Sequence, residues 1–287
     1  MINNSCYQLE KIIFNNGIFD KSIDVTYIIH LLNNGRYNNI KKQLYNINLT
    51  KENYILINKG YKKCNKILNE QKPNADLVDC YLTIFKHAKE KNYDNILILE
   101  DDFLLDINIK NKYHINNINN FLLKNKNKDI VYSFGVLPFI IFPYDLYNYK
   151  TLFSSGTHAM IYSKQFRNKT LLTDNSKIND WEVFTHSYTT KIIYNIPLCY
   201  QLFPITENSK TWEDYYFCGI NINKIWNNSI RNMYDYFELD KKVDGYKYFF
   251  IFSKIIGIVF IFFILMLIYI FIKSFYKLVK KSIVTRI

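Results

Sequence analysis

The stretch IIGIVFIFFILMLIYIFI, residues 255–272, carries neither a charge nor a proline. Roughly 18 apolar residues rising 1.5 Å each span most of a ~30 Å hydrocarbon layer. A helix that is apolar on every side needs lipid or a surrounding core to cover it, and here little of the chain is available as cover. The run therefore reads as part of a transmembrane helix over residues 248–273. Interfacial aromatics Tyr246, Tyr248, Phe249 and Phe250 precede it, with Lys254 placed to snorkel. Residues 274–287 read as a basic tail containing Lys277, Lys280, Lys281 and Arg286.

That run divides the rest of the chain. Residues 1–23 read as an N-terminal extension, 24–221 as one domain and 222–247 as a juxtamembrane linker. In the linker, Trp226, Met233, Tyr234 and Tyr236 are suited to amphipathic contact. A composition 49% hydrophobic and 17% aromatic excludes a disordered protein. The net charge of +12 comes from lysines scattered along the chain, without the compact stripe that nucleic-acid binding needs. Attraction to anionic lipid or sugar phosphate fits the charge better. The five cysteines lie far apart and form no CxxC pair, so neither a zinc site nor a disulfide framework is indicated. Their odd number suits a reducing compartment.

Orientation draws two opposed arguments. The opening MINNSCYQLEKIIFNNG lacks the apolar core of a signal peptide, which suggests a tail anchor with its domain in the cytosol. The basic tail argues the reverse, because positive flanks stay cytosolic. The expectation is a cytosolic domain in preference to a lumenal one.

Within the domain, 24–31 (DVTYIIHL) reads as a strand, 36–45 as a helix, and 54–58 (YILIN) as a second strand. Residues 76–91 form the clearest amphipathic helix, with Leu77, Cys80, Ile84 and Ala88 on one face. A continuous apolar run follows at 95–99, the mark of a strand covered on both sides. A helix near 116–124 and a strand at 130–134 continue the alternation. Strand and helix in turn predict an α/β domain with a mostly parallel, doubly wound sheet.

The buried strand ends in ILILEDDF, placing Glu100, Asp101 and Asp102 together. In such sheets ligands bind beyond the carboxyl ends of the strands. Adjacent carboxylates repel one another unless a cation or hydrogen bonds compensate. Hard oxygen ligands suit Mg²⁺ or Mn²⁺, which commonly complete their shells with substrate phosphates. A solvated acidic turn, or a helix cap at Asp102, is the other reading of the same residues.

Several segments, in order, resemble glycosyltransferase family 25, the lipooligosaccharide-type and collagen-type galactosyltransferases, with relatives in large DNA viruses. Tyr27-Ile28-Ile29-His30-Leu31 with Arg36 is similar to the family's opening strand and arginine. Asp79-Cys80-Tyr81-Leu82-Thr83 leads into the acidic motif, which ILILEDDF resembles. Gly156-Thr157-His158-Ala159-Met160 resembles the later Gly-x-x-Ala strand, and Asp180-Trp181-Glu182 stands where the family carries an acceptor-side acid. His30 replaces an asparagine, and Thr83-Ile84 replaces a Ser-His pair.

The resemblance implies a GT-A, Rossmann-type fold and a membrane-anchored, inverting glycosyltransferase. It would move a hexose such as galactose or glucose from a nucleotide-diphosphate donor, a UDP-sugar, to a glycan or glycoprotein acceptor. Asp102 and Glu100 would hold Mn²⁺ or Mg²⁺, with Asp101 and Arg36 beside the donor. His158 would contact donor phosphate or metal, or else be a satisfied structural histidine; Lys210 would contact donor phosphate, and Gln201 with residues 206–210 would form a flap. Asp180 is the first candidate base and Glu182 the second, since on an extended segment both share one face. Trp181 would either stack on a sugar or sit in the core. The alternative class is a non-catalytic glycan-binding or scaffold protein on the same fold, motivated by His30 and Thr83.

Overall fold

The computed structural model describes residues 6–201, 216–217, 220–238 and 243–284. Its centre is a seven-stranded mixed sheet with helices on both faces. In chain order the elements are β1 (Tyr7–Ile13), β2 (Val25–Leu31), α1 (Tyr37–Asn46), β3 (Glu52–Asn58), α2 (Pro73–Glu90), β4 (Asn95–Glu100) and β5 (Phe103–Leu105). There follow α3 (Lys112–Lys124), β6 (Ile130–Pro143), β7 (Asn148–Ser163), α4 (Lys164–Leu171), α5 (Trp181–Tyr188), β8 (Thr190–Tyr194) and β9 (Cys199–Gln201). Short strands β10 (Tyr216–Phe217) and β11 (Ile220–Asn221) lead to α6 (Ile222–Phe237) and α7 (Val243–Val284).

The strand order is β1-β3-β2-β4-β7-β6-β8. β3, β2 and β4 run parallel, as do β6 and β8, while β1 and β7 run antiparallel to their neighbours. The sheet is thus mixed, where strand–helix alternation had suggested a mostly parallel one. The physical cause is the β6–β7 hairpin, which returns the chain directly without a crossover helix. The alternation rule fails where that hairpin begins.

β4 shows why the run at 96–99 is apolar throughout. Ile96 and Ile98 join a core with Tyr81, Ile84 and Phe85 of α2, while Leu97 and Leu99 join another with Leu44 of α1 and Ile118 of α3. Successive side chains point to opposite faces, and both faces are covered.

Two segments read as extension and linker are parts of the fold. Tyr7–Ile13 is an edge strand paired with β3. Beyond it, Cys6 and Cys64 form a disulfide, their Cα atoms 5.5 Å apart. Wide separation in sequence had argued against any pairing. The sheet overrides it, because β1 brings the Cys6 carbonyl to the Lys59 amide and the chain turns back by Cys64. Cys80 and Cys199 are buried free thiols.

The start of α7 also belongs to the domain. Tyr246 packs edge-on against Tyr200, and Phe249 against Phe139. Met233 and Phe237 of α6 pack against the same cluster, whereas Tyr236 is exposed. Ser253 donates to the Pro138 carbonyl. A methyl added at Gly257 would lie 1.9 Å from the Ile141 carbonyl oxygen, so backbone meets backbone there. The segment Asp244–Tyr276 is long and apolar enough to cross a membrane, and only 6% of its most apolar window is buried.

Burying a Phe contributes about 1.5–3 kcal/mol, and Phe249 and Phe250 are each 3% exposed. A chain cut after Gly245 should therefore melt well below one cut after Val259. Differential scanning fluorimetry of the two tests whether the first turns of α7 stabilise the domain.

Candidate functional site

The three acids following β4 go to three different places. Continuing the strand's alternation, Glu100 falls on the α2 face, where it accepts from Tyr81 Oη at 2.9 Å and from Thr157 Oγ1. Asp101 falls on the α1 face. It accepts from the Leu31 amide at 3.1 Å, from Asn34 Nδ2 and from Arg36, with His30 Nδ1 3.4 Å away. Asp102 turns toward β9 and accepts from Gln201 Nε2 at 3.1 Å.

Their proton affinities divide accordingly. Burial raises that of Asp101, but the nearby His30 ring, the Arg36 charge and the donors of Leu31 and Asn34 outweigh it. The carboxyl is held below its usual range. Burial, then the charges of Asp101 and Glu182, pushes Glu100 up against the bonds from Thr157 and Tyr81. Asp102 is pushed up to about 8, by burial first and then by Glu100 and Asp101. It is 5% exposed, and its Oδ1 is buried without a hydrogen-bond partner among the described residues. A buried carboxylate oxygen left unpaired costs several kcal/mol at the order-of-magnitude level, so it marks a place where a partner belongs.

β7 and α5 close the opposite side. Gly156 has φ +92°, a left-handed conformation that suits glycine, and a methyl there would lie 3.1 Å from His158 Nδ1 and 3.2 Å from Gln201 Oε1. This bend turns the Gly156 amide to Glu182, which accepts from it at 2.9 Å. β6 and β9 cross below in backbone contact, since a methyl on Gly135 would lie 1.7 Å from the Cys199 carbonyl oxygen. His158 is fully buried there, its Nε2 donating to that carbonyl at 3.3 Å and its Nδ1 without a partner among the described residues.

Lys191, on β8, went unnoticed in the sequence. It is 2% exposed, and its ammonium has no hydrogen-bond partner among the described residues. Burial lowers it to about 8, while Glu182 and Glu100 draw it back up. Burial likewise raises Glu182, opposed by Lys191 and the Gly156 amide. The signal was a lysine next to the apolar pair Ile192-Ile193 in TKIIY, where period two sends it inward with Ile193.

The other expected residues separate clearly. Asp180 and Glu182 do not share an extended segment. Asp180 caps α5, accepting from the Val183 amide at 3.0 Å, and only Glu182 reaches the site. Trp181 is a core residue, 2% exposed, stacked on Tyr81 at 4.4 Å and donating to Tyr162 Oη. Arg36 neutralises Asp101. Lys210 and the expected flap at 206–210 lie outside the described residues.

Among the described residues, no group of three or more His, Cys, Asp or Glu side chains is placed to form a metal cage. Mg²⁺-type ions do not require one; they are commonly held by one or two carboxylates plus substrate phosphates and water. The unpaired Oδ1 of Asp102, beside Glu100, fits that second kind of site.

Burial holds His158 and His186 each at about 4; His186 donates its Nε2 proton to the Ser154 carbonyl at 2.6 Å. In the unfolded chain they titrate near ~6.5. The unfolded state therefore takes up protons first as pH falls. The stability these neutral rings provide is complete above about pH 6.5 and is lost progressively toward about pH 4. Melting curves across that window should show the decline, and His186→Gln should flatten it.

No protein-family model matches the chain, and no curated protein does. Among solved structures it is similar to A197 from STIV, with a TM-score of 0.39 and 13% identity. That match covers 64% of this chain and 86% of A197, a likeness too distant to bear on the reading of the site.

Proposed function

We propose that the chain is a membrane-anchored glycosyltransferase that uses a nucleotide-diphosphate sugar. The observation that carries this reading is the buried Oδ1 of Asp102, beyond the carboxyl end of β4 and without a hydrogen-bond partner among the described residues, in a carboxyl group that feels the charge of Glu100, which in turn feels that of Glu182. Asp102, Glu100 and Glu182 are all pushed toward their neutral forms, and a ligand that brings positive charge would favour ionising them. Donor diphosphate carried with a divalent ion brings that charge together with a leaving group. Asp102, with Glu100, would hold the ion, which when bound neutralises the departing diphosphate. The GT-A arrangement is the expectation that this placement supports.

Glu182 is the base in this reading. Burial raises its proton affinity, and the Gly156 amide fixes its position. As the acceptor oxygen forms its bond to the anomeric carbon, the bond from that carbon to the diphosphate breaks, and the hydroxyl proton passes to Glu182. Lys191 opposes the upward push of burial on Glu182. Arg36 and Asn34 hold Asp101 in place, which keeps the turn at Asp102 rigid.

The Cys6–Cys64 disulfide supports a non-cytosolic position for the domain, with the basic tail in the cytosol. This reverses the preference drawn from the first residues. Acid-quenched cells treated with alkylating agent should yield chains in which Cys6 and Cys64 are protected until reduction. Full alkylation of both without reductant places the domain in the cytosol instead.

The enzymatic reading is tested on the full chain in detergent. A UDP-sugar at ~100 times its Kd should stabilise the protein by about 2.7 kcal/mol with Mn²⁺ present, and Asp102→Asn should abolish that gain. Glu182→Gln should retain donor binding and slow transfer by about 10²–10⁴-fold. A folded wild-type protein that responds to no nucleotide sugar, with or without metal, would refute the proposal.

A further inference from the structure

The chain's apolar anchor and its soluble domain overlap in height. Lys254 is the last charged residue before the uncharged run at 255–272, and its Nζ donates to the Asn195 carbonyl at 2.8 Å. Gly257 and Phe260 already lie within that run. Gly257 rests on the Ile141 carbonyl, and Phe260 meets Phe142 with ring centroids 6.0 Å apart. β6 advances from Pro138 beside Ser253 to Phe142 beside Phe260, so strand and helix travel in the same sense. The turn that follows begins at Pro143, and its far side, Tyr147, accepts from the amide of Asn195, the residue whose carbonyl takes the Lys254 ammonium.

That turn displays two large apolar side chains and one acid. Leu146 is 80% exposed and Tyr144 43%, the latter packed at one edge against Phe121. The one acid, Asp145, has its carboxylate turned back onto the Tyr147 amide and Asn148 Nδ2. Lys150, on the strand behind, is exposed. An aromatic, an aliphatic and a following lysine make the pattern of an interfacial contact.

We infer that the β6–β7 turn is a second membrane contact, with Tyr144 and Leu146 entering the same leaflet that α7 crosses. The inference rests on the reading of α7 as a membrane span. It goes further, because a domain held at two points has a fixed height and tilt. From Ile141 back to Gly135, under the candidate site, is about 20 Å of strand at 3.3 Å per residue. The site therefore lies close to the bilayer surface, which points to an acceptor that is itself borne by the membrane.

The test uses the full chain in lipid vesicles, with single tryptophans added at Leu146→Trp, Tyr144→Trp and, in the span, Phe263→Trp. Emission above that of the unsubstituted chain is compared in ordinary vesicles and in vesicles of lipid brominated along the acyl chain. Loss of most of the added emission at Leu146→Trp or Tyr144→Trp, together with Phe263→Trp, supports the contact. Quenching at Phe263→Trp alone overturns it while leaving the anchor in place. Quenching at none of the three overturns the anchor, and the contact with it.

Discussion

Everything at the candidate site depends on β4 being clamped in the middle of the sheet. Hydrogen-bonded to β2 on one side and β7 on the other, with cores on both faces, it has no freedom to shift register. A slip of one residue would exchange the two faces. Glu100 would then point at α1 and Asp101 at α2, and neither would find its donors. The apolar run is what gives each acid a defined address.

The distribution of charge follows from those addresses. Asp101 is compensated by Arg36 and by the turn after β2, so its negative charge serves to tie two loops together. Among the described residues, Asp102 receives only the Gln201 amide. Glu182 and Glu100 share the influence of one buried ammonium, Lys191. Adjacent acids of the same chemistry thus divide into one that is structurally satisfied and others with capacity left for a ligand.

How much of this could be read from the sequence depended on whether the signal was local. The strands at 25–31 and 95–100, the helix at 73–90 and the acid cluster are marked by periodicity and composition in single windows. The edge strand at 7–13 is not, since it has meaning only opposite β3, and the Cys6–Cys64 pair depends on that strand in turn. The antiparallel β7 was lost because a long hairpin with register shifts does not resemble a strand–helix unit. Asp180 and Glu182 were confused for a simpler reason. An acid before an apolar, helix-forming stretch is also a cap, and the helix periodicity of WEVFTHSY places the pair on different sides. Lys191 and Gly156 gain their significance from elements distant in the chain.

The edge of the sheet carries a further consequence. β1 is an outermost strand, and it covers the hydrogen-bonding groups of β3, whose centre is Tyr54-Ile55-Leu56-Ile57. Outermost strands are templates for pairing with other chains, and charged residues along them discourage it. Here Glu10 pairs with Lys41 and Lys11 with Glu52, leaving an edge strewn with ions. The disulfide fastens the near end of the same strand. Were that strand to peel away, the apolar β3 would become the exposed edge, so the covalent link guards the protein against joining its own copies into extended sheets.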